Sequence, residues 1–261
     1  MTDDVGRVLP EGTRTPGTIP DPIFAAAVDT FVAGQRLDMR SLARRVGVAR
    51  ATLYRRAGNR EQLLDQVLWW RARLLLADQV RTNGPVDVLV HNAGVWVRGN
   101  TPRATVDGLE TTFAVNVLAP HLLTHLLAAN LQGRLLWLGS GTASSGRPKP
   151  DVLGRQQEPR QAYADSKACD VALALAWGRR LPTIASAAVD PGWVKTKLAS
   201  AGAPGDVTSS ADTLAYCCTE ADLTSAPYWK NRAPTPVPRH LRNEALQDAI
   251  ASACDRLARI E

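Results

Sequence analysis

The stretch "GPVDVLVHNAG", residues 84–94, decides how the second half of the chain folds. Its centre, "VDVLV", is a run of β-branched and aliphatic residues, which is typical of a strand buried in a parallel sheet. Two similar runs, "RLLWLGS" and "IASAAVDPG", alternate with helical stretches in the order 107–130, 134–140, 161–179 and 184–192. Strands that alternate with helices predict an α/β fold with a doubly wound sheet.

The composition is that of an ordinary globular protein. Of the 261 residues, 45% are hydrophobic and 21% are charged, which is enough apolar material to bury a core. Residues 1–20 contain no apolar segment of the secretory type, and no run of about 18 apolar residues follows, so we expect no signal peptide and no membrane span. Four cysteines show neither C-x-x-C nor metal-binding spacing, which favours reduced thiols in a cytoplasmic protein: Cys169, Cys217, Cys218 and Cys254.

Positive charge is concentrated near the N-terminus. The formal net charge is +6, and residues 36–60 contain a single acid, Asp38, among eight arginines: Arg36, Arg40, Arg44, Arg45, Arg50, Arg55, Arg56 and Arg60. Such a cluster is typical of a surface for a polyanion, most simply duplex DNA. A solvated basic helix face has the same composition, so charge alone leaves both interpretations open.

The same region has the pattern of a helix-turn-helix. A first helix is predicted from residue 21 to Gly34, which suits a C-terminal cap. Asp38 is placed to cap a second helix, and Gly47 permits a sharp turn into the short basic helix "VARATLYRRAG", residues 48–58. Two short helices joined by a tight glycine turn, the second of them basic, predict this motif.

The string "SLARRVGVARATLYRRAGNREQLL", residues 41–64, resembles the DNA-binding domain of the TetR family of bacterial repressors. The resemblance covers about residues 21–68. It implies that four residues contact duplex DNA: Arg50, Thr52, Tyr54 and Arg60. Thr52 and Tyr54 would touch backbone phosphates, and Arg60 would stand at the family's phosphate-binding lysine. Arg50 would reach a base edge, since arginine can pair bidentately with guanine.

A second series of motifs follows in order along the chain. It comprises "HNAG" at 91–94, Asn116, Ser140, Tyr163 with Lys167, and "DPGWVKT" at 190–196. Tyr163 and Lys167 are one helical turn apart and can share a helix face. The series resembles the short-chain dehydrogenase/reductase family from its fourth strand onward. The gap between Ser140 and Tyr163 is longer than the family's usual gap, and "RPKPDVLGRQQEPR" is interpreted as an additional loop.

That resemblance implies an NAD(P)-dependent carbonyl or alcohol oxidoreductase with four catalytic residues. Tyr163 would donate a proton to the substrate oxygen, and because a phenol has a pKa near ~10, it needs the neighbouring charge of Lys167. Ser140 would hold the substrate oxygen. Asn116 would seat a water that links Lys167 to solvent. The cofactor would be lined by Asn92, Ala93, Gly94, Tyr163, Lys167, Pro191, Gly192 and Thr196.

The first half of a dinucleotide fold has no counterpart upstream of Val86. That region contains no T-G-x-x-x-G-x-G string and no three strands, so the site for the adenosine end and the pyrophosphate is not found. We therefore predict an incomplete doubly wound parallel sheet, Rossmann-like, preceded by a small all-α helix-turn-helix domain. The predicted parts are a flexible arm at 1–20, a TetR-like domain at 21–78 and a truncated dehydrogenase domain at 79–261.

Three functional hypotheses follow. The chain is an oxidoreductase whose missing cofactor half comes from elsewhere, or a DNA-binding regulator with a reductase-derived sensor or dimerisation domain, or a fusion relic. In the first two cases we expect a homo-oligomer in the cytoplasm, acting on a small carbonyl or alcohol substrate or on DNA. His121 and His125 have a spacing that could bind a metal, but no third ligand is evident, and we predict no metal site.

Overall fold

A computed structural model describes residues 22–60, 63, 78–97, 99, 103–105, 108–196, 203 and 205–258. The chain forms two compact units that divide between Leu75 and Leu76. The predicted flexible arm, residues 1–20, lies outside the described residues.

Among the residues that the structure describes, the first unit contains the helices α1 (Pro22–Val32), α2 (Met39–Val46) and α3 (Arg50–Ala57). The carboxylate of Asp38 accepts a hydrogen bond of 2.8 Å from the backbone N–H of Ser41, and so caps α2 as predicted. Gly47 ends α2 in the left-handed conformation, with φ of 69°, which a residue with a side chain adopts at a cost. Asp38 thus fixes the start of α2, and Gly47 fixes the turn between α2 and α3.

The apolar residues of these helices form one core. Its most deeply buried large side chains are Ile23, Leu42, Leu53 and Leu63. Full burial of a leucine contributes about 1.5–3 kcal/mol. The basic residues consequently lie on the outside of a packed helical unit.

The second unit is built on a five-stranded sheet with the order β1-β2-β3-β4-β5. The strands are β1 (Val86–His91), β2 (Leu131–Leu138), β3 (Ala185–Asp190), β4 (Tyr228–Lys230) and β5 (Ala233–Pro234). The first four strands pair in parallel, and β5 is antiparallel to β4. The α/β fold with a parallel-dominated sheet is therefore confirmed.

Strand β1 lies at one end of this sheet. Among the described residues it pairs with β2 alone, and the register of that pair shifts between Val86 and Val88. Asp87, at the shift, is exposed, and its carbonyl oxygen would lie 2.4 Å from a Cβ added to Gly133. Glycine at 133 thus allows the two backbones to approach closely where the ladder is irregular.

Helices follow the strands in the predicted alternation. They are α4 (Thr111–Phe113), α5 (Ala119–Leu127), α6 (Pro159–Arg180), α7 (Val207–Thr219) and α8 (Glu244–Ala258), and a π-helical turn, Ala114–Leu118, joins α4 to α5. Residues 164–174 of α6 are all buried, so this helix is enclosed on every side. Three charged residues lie in that buried stretch and need partners there: Asp165, Lys167 and Asp170.

By length and composition, one segment of the described chain, Thr111–Asn130, could cross a membrane. Its mean hydropathy is 1.4, a value that is reached although Asn116 and His121 interrupt the apolar run. The sequence analysis expected no such segment because it looked for an uninterrupted run. More than half of the segment, 56%, is buried inside the protein, and Phe113 and Val117 belong to the core, which is the behaviour of a core helix.

Candidate functional site

Tyr163 and Lys167 lie one turn apart in α6, and the structure brings their side chains together. The ammonium nitrogen of Lys167 is 5.9 Å from the centroid of the Tyr163 ring. Only 6% of Lys167 is exposed. The predicted pair is therefore a buried one, in which the lysine charge acts on the phenol through protein rather than through water.

Lys167 is held by two acceptors. Its Nζ donates to the carbonyl oxygen of Leu138, at 2.7 Å, and to Oδ2 of Asp170, at 2.8 Å. Asp170 is 3% exposed, and its Oδ1 has no hydrogen-bond partner among the described residues. Burial raises the pKa of the Asp170 carboxyl to about 6, against the opposing effect of Lys167. Asp170 was not predicted as a site residue. An acid three residues after Lys167 in an apolar helix is a signal from which its contact with Lys167 could have been predicted.

Asn116 connects three segments of the site. Its Nδ2 donates to the carbonyl oxygen of Val95 and to Oγ of Ser166, both at 3.0 Å, and its Oδ1 accepts from the N–H of Val95 at 2.7 Å. Both amide protons are thus used within the protein, so the predicted water would have to bind another atom of this residue. A Cβ added to Gly94 would lie 3.5 Å from Oδ1 of Asn116 and 3.9 Å from Nζ of Lys167.

Ser140 follows β2 and faces the tyrosine. Its Oγ accepts a hydrogen bond of 3.0 Å from the hydroxyl of Thr142. Burial raises the pKa of the Tyr163 phenol above its ordinary value; Lys167 lowers it, Asp170 raises it again, and a hydrogen bond with Ser140 lowers it. The net direction is upward, which is opposite to the effect that Lys167 alone would have.

Trp96 covers the tyrosine ring. The two rings are stacked, with centroids 5.2 Å apart and planes inclined by 22°. Trp96 comes five residues after the end of β1, and the sequence analysis did not single it out. It makes an aromatic wall beside the phenol that would meet any substrate placed there.

The turn after β3 is held by a second buried carboxylate. Oδ1 of Asp190 accepts from the N–H of Gly192 at 2.8 Å, and Oδ2 pairs with Nζ of Lys230 at 2.9 Å. Gly192 has a φ of 79°, and the carbonyl oxygen of Pro191 accepts a hydrogen bond from the hydroxyl of Ser210. Asp190 and Lys230 were not predicted as site residues, because nothing in the sequence links β3 to β4.

The predicted residues share one edge of the sheet. Each group follows the carboxyl end of a parallel strand: Asn92, Ala93 and Gly94 follow β1, Ser140 follows β2, and Pro191, Gly192 and Thr196 follow β3. Ligands of open α/β sheets bind outside this edge. Gly94 also lies at this edge, beside Asn116 and Lys167. The adenosine end has no glycine-rich counterpart upstream of β1.

The helix-turn-helix places its predicted DNA-contacting residues on or just after α3. Arg50 is exposed, and its guanidinium carbon is 5.8 Å from the centroid of the Tyr54 ring, which is itself 40% exposed. Thr52 is half-buried. Nε of Arg60 donates to the carbonyl oxygen of Leu37 at 2.8 Å, so one donor of this guanidinium already serves the fold.

His121, the first histidine of the pair with metal-binding spacing, takes part in contacts between helices. Nε2 of His121 is 2.7 Å from Oδ1 of Asp255, and its Nδ1 accepts from Nε1 of Trp177 at 3.2 Å. Both ring nitrogens of His121 are therefore engaged with other helices. Burial lowers the pKa of His125, which is half-buried. Within the described ranges, no group of three His, Cys, Asp or Glu residues could hold a metal ion.

Comparison with known proteins gives two separate matches. The family described as short chain dehydrogenase matches residues 71–205, and the family described as bacterial regulatory proteins, tetR family, matches residues 23–67. An uncharacterized oxidoreductase, AN7799, of Emericella nidulans is 30% identical over 189 residues, which cover 70% of this chain and 72% of that protein. Dehydrogenase/reductase SDR family member 12 of Bos taurus is 25% identical over 241 residues, covering 81% and 74%.

A solved structure has the same fold. The NADPH-bound carbonyl reductase from chicken fatty liver superimposes with a TM-score of 0.51 at 18% sequence identity, covering 63% of this chain and 72% of that one. At this identity the likeness concerns the fold alone. Together with the family matches and the sheet described above, these findings show that the chain belongs to the short-chain dehydrogenase family and carries a helix-turn-helix of the TetR type ahead of that fold.

Proposed function

We propose that this protein is an NAD(P)-dependent oxidoreductase of small carbonyl compounds and alcohols, with its chemistry in the second unit. The observation that carries the proposal is the cluster of Tyr163, Lys167, Asn116 and Ser140 at the carboxyl edge of the sheet, in which Lys167 and Asn116 are buried and Tyr163 and Ser140 are half-buried. The four residues come from three separate segments, the end of β2, the turn at Asn116 and α6, and the fold brings them together.

The residues of this chain would divide the work of carbonyl reduction. A bound NAD(P)H would supply the hydride to the carbonyl carbon. Tyr163 would donate its hydroxyl proton to the carbonyl oxygen as charge develops there, while the Ser140 hydroxyl donates a hydrogen bond to the same oxygen. Lys167 would stabilise the tyrosinate that remains, because its ammonium group is held nearby by the carbonyl of Leu138.

We expect the dinucleotide to bind weakly. Gly94, Pro191, Gly192 and Thr196 would hold its nicotinamide end, but no glycine-rich turn cradles the pyrophosphate. Every copy of the chain lacks that turn, so a homo-oligomer cannot supply it. A different protein, or a surface of this chain that has no glycine-rich turn, would have to bind the adenosine end of the dinucleotide.

Fluorescence titration with NADPH and NADH tests this proposal. We expect saturable binding that Lys167→Ala weakens, and slow reduction of small aldehydes or ketones that Tyr163→Phe abolishes. Tyr216→Phe is the matched control, because Tyr216 lies in α7, packs against Trp229 of β4, and shows no contact with the tetrad in the part of the chain that the structure describes. A folded chain that binds neither cofactor at millimolar concentration would refute the proposal.

A second candidate function, binding to duplex DNA, is supported by the first unit. Gly47 turns the chain from α2 into α3, on which Arg50 and Tyr54 are both exposed. A single helix-turn-helix reads a two-fold site only as a dimer, so this function requires a homo-oligomer, and both functions are consistent with a cytoplasmic protein.

Salt-dependent binding to random duplex DNA, measured by fluorescence anisotropy, tests the second function. We expect Arg50→Ala to lower the affinity and reduce the salt dependence, since a charged contact releases counterions. Arg256→Ala removes an exposed arginine from α8 and serves as the control. Equal affinity for both variants and the unmodified chain would exclude α3 as the contact surface.

A further inference from the structure

Helix α6 contains a buried acid, Asp170, that has no direct part in the carbonyl reduction proposed above. Asp170 lies one turn beyond Lys167 on α6, with its Oδ2 2.8 Å from the ammonium nitrogen. The side chains of both partners are more than nine-tenths buried. A buried ion pair is costly to form, because both charges lose their hydration. Its presence beside the reacting phenol therefore calls for a chemical explanation.

The hydrogen bonds of Lys167 use two of its three ammonium protons and one of the two carboxylate oxygens of Asp170. An ammonium group has three protons, and the carbonyl of Leu138 and the carboxylate of Asp170 take two of them. Oδ1 of Asp170 is buried without a hydrogen-bond partner among the described residues. A carboxylate placed for stability alone would have both oxygens satisfied, so this geometry favours a role directed at Lys167.

We propose that Asp170 is a positioning residue that fixes the Lys167 ammonium on α6 and offsets its charge at the Tyr163 hydroxyl. This inference rests on the proposed function for its meaning: a protonated tyrosine can donate to a carbonyl oxygen, whereas alcohol oxidation needs a tyrosinate that accepts a proton. Asp170 would thus bias the site toward reduction.

The groups that act on the Tyr163 hydroxyl come from three elements. Lys167 and Asp170 lie on its own helix, Ser140 follows β2, and Asp190 ends β3 and is itself paired with Lys230 of β4. The two carboxylates raise the pKa of the phenol, and Lys167 lowers it. One ammonium group therefore acts against two carboxylates, of which Asp190 is partly neutralised by Lys230.

The thiols near Asp170 add no charge at neutral pH. Cys169 precedes it on α6, and Cys254 belongs to α8, which packs against α6. Burial raises the pKa of Cys169 well above its ordinary value and that of Cys254 to about 12. Asp170 is consequently the acid that determines how much of the Lys167 charge reaches the tyrosine.

The test is the protonation of Tyr163 in the full chain, followed by carbon-13 NMR of labelled tyrosine Cζ. The chain has four tyrosines, and the Tyr163→Phe variant assigns the relevant signal. Asp170→Asn keeps the shape of the side chain and removes its charge. At one alkaline pH where all variants are folded, we expect the tyrosinate fraction of Tyr163 to rise about tenfold, which is a shift of about one pH unit.

Asp165→Asn is the matched control. Asp165 is buried in the same helix, but its Oδ1 accepts from the N–H of Arg147 and from Nε2 of Gln161, not from Lys167. We expect this variant to leave the Tyr163 signal unchanged. If Asp170→Asn does not fold, Asp170→Ser supplies the same neutral test with a smaller side chain.

Two results would overturn the inference. One is an unchanged tyrosinate fraction in a folded Asp170→Asn or Asp170→Ser chain, and the other is an equal change in Asp165→Asn. The NMR measurement needs neither cofactor nor turnover. Failure of the inference and failure of the proposed function are therefore seen in different experiments, since the latter is decided by NAD(P)H titration.

Discussion

The contact between α5 and α8 is predicted to depend on Asp255. His121 of α5 is completely buried, and Trp177 of α6 donates to its Nδ1. Because Nδ1 is an acceptor, the ring hydrogen lies on Nε2 and is donated to Oδ1 of Asp255 at 2.7 Å. The Asp255 carboxylate also pairs with Arg180, at 2.8 Å. One carboxylate thus joins three helices.

The loss expected for Asp255→Ala can be worked from these contacts. The substitution leaves the N–H of His121 buried without a partner, which costs about 1–3 kcal/mol. The ion pair with Arg180 is about a third exposed and adds less than about 1 kcal/mol. We therefore expect the free energy of unfolding to fall by roughly 1–4 kcal/mol. Asp255→Asn keeps an acceptor oxygen and is expected to lose less.

The chain offers a matched control for this measurement. Asp248 of α8 pairs with Arg179 of α6, so it joins the same two helices, but its side chain is 62% exposed and contacts no buried histidine. We expect Asp248→Ala to cost less than about 1 kcal/mol. Urea unfolding followed by tryptophan fluorescence measures both variants. If Asp255→Ala is no less stable than Asp248→Ala, the His121 contact does not stabilise the fold as argued.

Two further substitutions test the packing and the protonation of the second unit. Gly146→Ala would place a Cβ 2.3 Å from the carbonyl oxygen of Ala164. We therefore expect this variant to lose soluble yield several-fold and to have a lower melting temperature. In the control Gly139→Ala the added Cβ makes ordinary contacts, and we expect it to be tolerated. Burial lowers the pKa of His91 to about 3, below its unfolded value, so its contribution to stability is present above pH ~6.5 and is lost as the pH falls toward 3. The unmodified chain should therefore lose about 2 kcal/mol more unfolding free energy between pH 7 and pH 5 than the His91→Asn variant loses. An equal pH dependence of the two proteins would contradict this assignment.

Local rules predicted much of this fold. The cap at Asp38 and the turn at Gly47 are decided by a few neighbouring atoms, so the sequence is sufficient for them. The strands β2 and β3 follow from apolar runs that are typical of a buried parallel sheet, whereas β1, predicted in the same way, lies at the end of the sheet and its valines are only half-buried. The pair of Tyr163 and Lys167 was predictable as a shared helix face because four residues make one turn.

Contacts between distant segments could not be predicted in this way. Asp190 and Lys230 are 40 residues apart, and His121 and Asp255 are 134 apart, so their pairing depends on strand order and helix packing. The π-helical turn at Asn116 depends likewise on the hydrogen bonds that this side chain makes with Val95 and Ser166. The pKa of Tyr163 depends on the sum of such contacts. The sequence therefore indicated that Lys167 lowers this pKa, but not that the net shift is upward.

Asp87 lies where a run of valines could otherwise recruit a second chain during folding. Among the described residues, β1 pairs on one side, and an open strand edge is a template for aggregation. Val86, Val88 and Val90 have the high β-propensity that favours such stacking. An exposed carboxylate in the middle of the run brings like charges together in any stack of copies, and the shifted register interrupts the ladder that a new strand would extend. We therefore expect Asp87 to oppose edge-to-edge pairing between copies of this chain during folding.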